Sequence, residues 1–103
     1  MGILNFFSSK DPEDYDKKGD VFFESGNYGK AIVEYERAVE MLEKASPWDD
    51  GYHHSLKEKI RDCKERLAGE HENTARELMD AGHNDDARQY VELALELTRD
   101  DRL

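Results

Sequence analysis

GDVFFESGNYGKAIVEYERAVEM, residues 19–41, returns in degenerate form as ARELMDAGHNDDARQYVELALEL, residues 75–97. Gly26 falls on Gly82, Ala31 on Ala87 and Ala38 on Ala94, each pair 56 residues apart (82 − 26). Between them Phe22 matches Leu78, Phe23 matches Met79, Tyr35 matches Val91 and Met41 matches Leu97 in kind. One order of glycine, small and apolar residues at one spacing defines an internal repeat, whose unit is a pair of helices about a turn. Stacked helical hairpins of this sort usually serve to hold another molecule.

The punctuation around the repeat predicts an all-α chain of about four helices. Asp11-Pro12-Glu13-Asp14 combines an N-cap, a proline at the first helical position and acids facing the positive end of the helix dipole, so a first helix covers 12–25. Gly26 supplies a left-handed C-terminal residue, and Asn27 caps a second helix, 28–45, whose Ala31, Ile32, Tyr35, Ala38, Val39 and Leu42 keep the 3.6-residue period. Ser46-Pro47-Trp48-Asp49 repeats the start signature, placing the next helix start at 47, or at 52 just after Gly51. From there Leu56, Ile60, Cys63, Leu67, Thr74, Leu78 and Ala81 continue in steps of three and four, with Gly69 the sole interruption. One glycine in a helix costs only about 1 kcal/mol, so a single helix to residue 81 is preferred, with two helices broken near 69 as the alternative. Gly82 closes it, and Asn84-Asp85-Asp86 opens a last helix, 84–98. The expected organisation is an apolar N-terminal segment, 1–10, and one helical domain, 11–103.

These residues resemble the tetratricopeptide repeat family, strongly over residues 12–45 and in a degenerate second unit over 68–98. Gly19 lies where the family has a small residue in its first helix, Phe22 where it has an aromatic, and Gly26-Asn27-Tyr28 is similar to its Gly-Asp-Tyr turn. Ala31, Tyr35 and Ala38 complete the pattern. Gly19 and Ala31 remove bulk where the helices approach, and Phe22, Tyr28 and Tyr35 fill the space on either side. The second unit keeps Ala75, Leu78, Gly82, Ala87, Val91 and Ala94 but has His83 and Asn84 where the turn aromatic belongs. The family period is about 34 residues, so about 22 extra residues fall in the long third helix. A plain helical bundle with small residues at its crossings is the rival architecture.

The resemblance implies a non-catalytic protein-interaction module or assembly scaffold. In the family, first-helix side chains line a concave groove; the matching positions here are Glu13, Asp16, Asp20, Phe23 and Glu24, then Gly69, Glu72, Arg76, Met79 and Asp80. Members that grip a C-terminal carboxylate carry Lys, Arg and Asn where Asp16 and Asp20 stand, so that activity is not expected. The groove suits a basic protein or peptide segment anchored on Phe23 and Met79, although the same acids also read as a solvated helix face. In the last helix Tyr90, Leu93 and Leu97 broaden the apolar stripe of Ala87, Val91, Ala94 and Leu95 beyond what one hairpin partner covers, marking a self-association face and a homodimer. The competing expectation is a structural or oligomerising domain, such as the N-terminal part of a larger protein. Ile3, Leu4, Phe6 and Phe7 form a second apolar group, able to fold back, enter the groove or dock on a partner.

Composition narrows the partners. The 103 residues are 39% charged and 37% hydrophobic, with a net charge of −10. That charge opposes nucleic acid and anionic membranes, which need a basic footprint, and favours basic partners. No membrane span is expected, and Phe6 stands where a myristoylation signal needs Ser or Thr. One cysteine, Cys63, allows no internal disulfide, and with no secretory signal visible the expected location is cytoplasmic.

No catalytic, cofactor or metal site is expected. His53 and His54 are adjacent and point apart; His54 and Glu58 share a face but have no third ligand in the sequence pattern. Cys63 sits on the apolar stripe, where a buried inert thiol is the ordinary outcome, and His71 is two turns away. Glu58, Lys59, Arg61, Asp62, Lys64, Glu65 and Arg66 read as a solvated, alternating charge face. Gly26-Asn27-Tyr28-Gly29-Lys30 lacks the preceding strand and the spacing of a phosphate loop.

Overall fold

In the computed structural model, residues 11–45 and 49–99 are described, and they form four helices. These are α1 (Pro12–Glu24), α2 (Tyr28–Lys44), α3 (Asp50–Asp80) and α4 (Asn84–Arg99). No strand occurs among the described residues. The apolar N-terminal segment, Ser46-Pro47-Trp48 and the end of the polar tail lie outside them.

Each helix end follows from its local chemistry. The N–H of Asp11 donates to the Asp14 side chain at 3.1 Å, and the Asp14 N–H to the Asp11 carbonyl at 3.0 Å, with Pro12 in the first turn. For α3 the start lies between the two sequence-based alternatives. Asp49 does the capping: its carboxylate accepts from the Tyr52 N–H at 3.1 Å and its carbonyl from the His53 N–H at 2.9 Å. α3 runs unbroken through Gly69, as the cost of one glycine predicts. α4 extends one residue past expectation, to Arg99.

The chain divides into two compact units, residues 1–60 and 61–103. In the first, α1 packs against α2. Ala31, Tyr35, Ala38, Val39 and Leu42 are buried along one side of α2, and Leu56 and Ile60 are buried in the first turns of α3. Gly19 is buried too, and a Cβ added there would come within 2.5–2.9 Å of the Tyr35 ring. The helices approach closely at that point because Gly19 has no side chain. In the second unit Cys63, Ala68, Ala75, Ala87 and Ala94 are buried, and the His71 and Tyr90 rings lie 5.7 Å apart.

Both hairpins turn in the same way, hydrogen bond for hydrogen bond. Asn27 N–H reaches the Phe22 carbonyl and His83 N–H the Leu78 carbonyl, both at 2.8 Å; Gly26 N–H reaches Phe23 and Gly82 N–H reaches Met79, both at 3.0 Å. Gly26 has φ 82° and Gly82 φ 87°, the left-handed conformation that closes a helix and that a side chain disfavours. The sequence repeat is therefore a structural repeat.

Candidate functional site

The acids of α1 meet the beginning of α3. Asp16 and Asp20 are one turn apart and face the same side of α1. Between them sits the Lys59 ammonium, 2.7 Å from Asp16 Oδ1 and 3.1 Å from Asp20 Oδ1. The Tyr52 hydroxyl donates to the other oxygen of Asp16 at 2.9 Å, and the Tyr35 hydroxyl donates to Asp20 Oδ1 at 2.5 Å. Lys59 also lies 5.5 Å from the centre of the Tyr35 ring. Three helices thus converge on two carboxylates and one ammonium.

The electrostatics follow from this arrangement. Burial pushes the Lys59 ammonium toward neutrality, but hydrogen bonds and charge from Asp16 and Asp20 outweigh it, and its pKa is raised. The Tyr52 hydroxyl is raised far above the usual range, first by burial and then by its hydrogen bond to Asp16. Both groups hold their protons throughout the neutral range. A second tie joins His53 Nε2 to Glu43 Oε2 at 2.7 Å.

The rest of the expected groove is distributed between the two units. In the first, Glu13 and Glu24 are exposed, and Phe23 is half-buried with its ring edge-on to Tyr28 at 5.3 Å. In the second, Glu72, Arg76, Met79 and Asp80 are exposed, and Arg76 donates to Asn73 at 3.2 Å; Gly69 is half-buried. Of the α4 face, Leu93 is 43% exposed while Tyr90 and Leu97 are half-buried. Leu93 and Leu97 line a shallow depression of about 410 Å³ with Leu67, His71 and Glu96.

Two residues of the α1 site, Tyr52 and Lys59, escaped the sequence reading. Lys59 was assigned to a solvated charge run, yet it is half-buried on the α1 carboxylates. A signal was available: Tyr52 and Lys59 are seven residues apart, on the flank of the stripe formed by Leu56 and Cys63. His54 and Glu58 do share a face, 3.6 Å apart and exposed. Among the described residues no three His, Cys, Asp or Glu side chains are grouped to hold a metal ion. No helix among them is long and apolar enough to cross a membrane.

Two helical hairpins with matching turns and small residues at the crossings define a helical-repeat protein. Residues 15–44 match the family model described as tetratricopeptide repeat, so the first hairpin is a repeat of that family. No curated protein and no solved structure matches the chain. Repeats of this family point to protein–protein interaction or scaffolding and are generally non-catalytic.

Proposed function

We propose that the chain is a protein-interaction module whose α1 face receives a basic segment of another protein. The family match supports the class. The observation that supports the finer reading is Lys59, an ammonium of this same chain held on this face by two carboxylates, with a tyrosine ring and hydroxyls beside it. Glu13 and Glu24 remain exposed beside that pair, and Phe23 offers an apolar anchor. A Lys- or Arg-bearing segment would meet Glu13 and Glu24 first and gain charge-assisted hydrogen bonds there. The net charge of −10 speeds its approach.

Fluorescence polarisation of the 103-residue chain against labelled Lys/Arg-rich peptides carrying one Phe or Leu tests this. Glu13→Lys with Glu24→Lys, both at exposed positions, should weaken binding by about tenfold or more while leaving helicity unchanged. Asp16→Lys with Asp20→Lys should remove binding altogether. Unchanged affinity in both pairs would discard the basic-segment reading and leave the interaction class standing.

A structural or oligomerising role is the second reading, and the Leu67, His71, Leu93 and Leu97 depression favours it. Two copies would then meet through α4, against the mutual repulsion of two chains of charge −10. Light scattering on the parent and on Leu93→Glu separates this case: a dimer that the substitution dissolves supports it.

A further inference from the structure

We propose that the trough beside α4 centred on Leu93 and edged by Glu92 and Glu96 docks a helical segment of another protein that carries one large apolar residue and two Lys or Arg residues a turn apart. The depression lined by Leu67, His71, Leu93 and Leu97 runs into a second one of about 280 Å³, and the two share Leu93 and Glu96. Glu92 lines the second, so both carboxylates border one continuous trough within the second unit. Among the described residues Glu92 and Glu96 take part in no ion pair or side-chain hydrogen bond, whereas Asp16 and Asp20 are already met by Lys59 and two hydroxyls.

The internal repeat separates this surface from an ordinary charged face. Counted 56 residues back (92 − 36), Glu92 and Glu96 fall on Glu36 and Glu40, so the same exposed pair of acids stands on α2. Leu93 and Leu97, however, fall on Arg37 and Met41, and Leu67 and His71 on Asp11 and Tyr15. Arg37, which pairs with Glu34 at 3.4 Å, gives the α2 acids a cation of their own helix. In the second hairpin that cation is replaced by Leu93, an apolar side chain 43% exposed. The acids are kept while their neighbours change from charged to apolar, and only there does an apolar depression adjoin them.

Charge and shape together fix the occupant's chemistry. Side chains four apart on a helix are neighbours, about 5–6 Å from each other, so cations at that spacing on an adjacent helix meet Glu92 and Glu96 together. The acidic row ends at Arg88 and Arg99, a turn beyond each acid, which limits the matching cations to two. The larger depression, about 410 Å³, takes one aromatic or branched aliphatic side chain over Leu93 and Leu97. A second copy of this chain fails on charge. A two-fold contact presents the same patch twice, so four carboxylates would share one interface to which the trough's lining brings no lysine or arginine. A basic segment brings the opposite charge, and the repulsion becomes attraction.

The test is an NMR titration of the 103-residue chain with a synthetic Ala/Gln-based peptide of about 15 residues, long enough for a marginal helix, carrying one Phe and two Lys four residues apart. Amide shifts should centre on Leu67, Leu93 and Glu96 as the peptide gains helicity. Glu92→Lys with Glu96→Lys, at exposed positions and with unchanged helical circular dichroism, should weaken the binding by about tenfold or more. Glu36→Lys with Glu40→Lys makes the same change of net charge at the counterpart positions and should weaken it by no more than about twofold. Replacing the peptide's Phe by Ala should cost several-fold in affinity. Equal losses from the two pairs of substitutions, or equal binding by a peptide with Glu in place of Lys, overturn the pairing with Glu92 and Glu96. No shifts at about 1 mM peptide, a range that captures even weak binding, overturns the docking surface. So do shifts confined to Glu13, Asp16, Asp20 and Phe23, or a dimer in light scattering that Leu93→Glu dissolves and the peptide leaves intact. The α1 acids take no part here, so this proposal and the reading of the α1 face can fail separately.

Discussion

The first and second hairpins share a turn and differ in what their second helices face. Tyr35 fills the space left by Gly19, donates to Asp20 and lies under Lys59. At the counterpart positions stand Val91, Ala75 and Arg76, with Val91 exposed. A glycine–tyrosine pair has become an alanine–valine pair, so bulk has moved from the second helix to the first, and the hydroxyl with its carboxylate has gone. The turn can be kept while the packing changes because it is made by backbone bonds and one glycine, whereas the flank depends on specific side chains and on a third helix.

The largest asymmetry should appear when the two flanks are truncated. Tyr35→Ala is expected to cost about 3–5 kcal/mol in urea unfolding, as for other buried aromatics, and Val91→Ala under about 1 kcal/mol. Equal costs would mean that the second flank is covered in solution. Gly19→Ala comes next, at about 1–3 kcal/mol, because the new methyl meets the Tyr35 ring. Combining it with Tyr35→Val, the second hairpin's own pairing, should give a non-additive result, with the double variant more stable than the two single costs predict. Strict additivity would show that the close approach is not what constrains residue 19.

Gly26→Ala and Gly82→Ala should cost the same as each other, about 1–2 kcal/mol, since both residues hold positive φ and no neighbour lies within 4 Å of an added Cβ. A clear difference between them would break the equivalence of the turns. The smallest effect is the loss of Lys59. Lys59→Met should cost about 1 kcal/mol or less, because the side chain is part-exposed and screened.

Its pH dependence sharpens the assignment. The Lys59 and Tyr52 pKa values are both raised in the folded state, so their contribution is fully present below their unfolded values, about 10 for both. It is lost as pH rises through the folded values. Unfolding midpoints followed from pH 8 to 11.5 should fall above about 10, and the fall should be shallower in Lys59→Met with Tyr52→Phe. An identical decline in parent and double variant would remove these two groups as its cause.

The helices and turns were legible because they depend on local chemistry. Asp11-Pro12, Gly26-Asn27 and Gly82 each act within four residues, and the buried Ala31, Tyr35, Ala38, Val39 and Leu42 are a periodic stripe. The start of α3 was less legible, because Pro47 and Gly51 both offer start signals, and Asp49 caps a helix that begins between them, at Asp50. Asp16 and Asp20 stood out by their positions on α1, but their pairing with Lys59 did not. Lys59 lies in a run of alternating charge that is compatible with a solvated face. Which member turns inward depends on where α3 meets α1, across 43 residues of chain.

By itself the sequence determined that this protein is helical, that its hairpin unit occurs twice, and that each unit turns on a left-handed glycine. Those outcomes rest on period, capping and φ preference, all properties of neighbouring residues. Tertiary structure alone decided that Asp16 and Asp20 hold Lys59 and Tyr52, and that the flank covered in the first hairpin is open in the second. Charge pairing and burial depend on which helices come together, and residues far apart in the chain carry no local mark of that meeting.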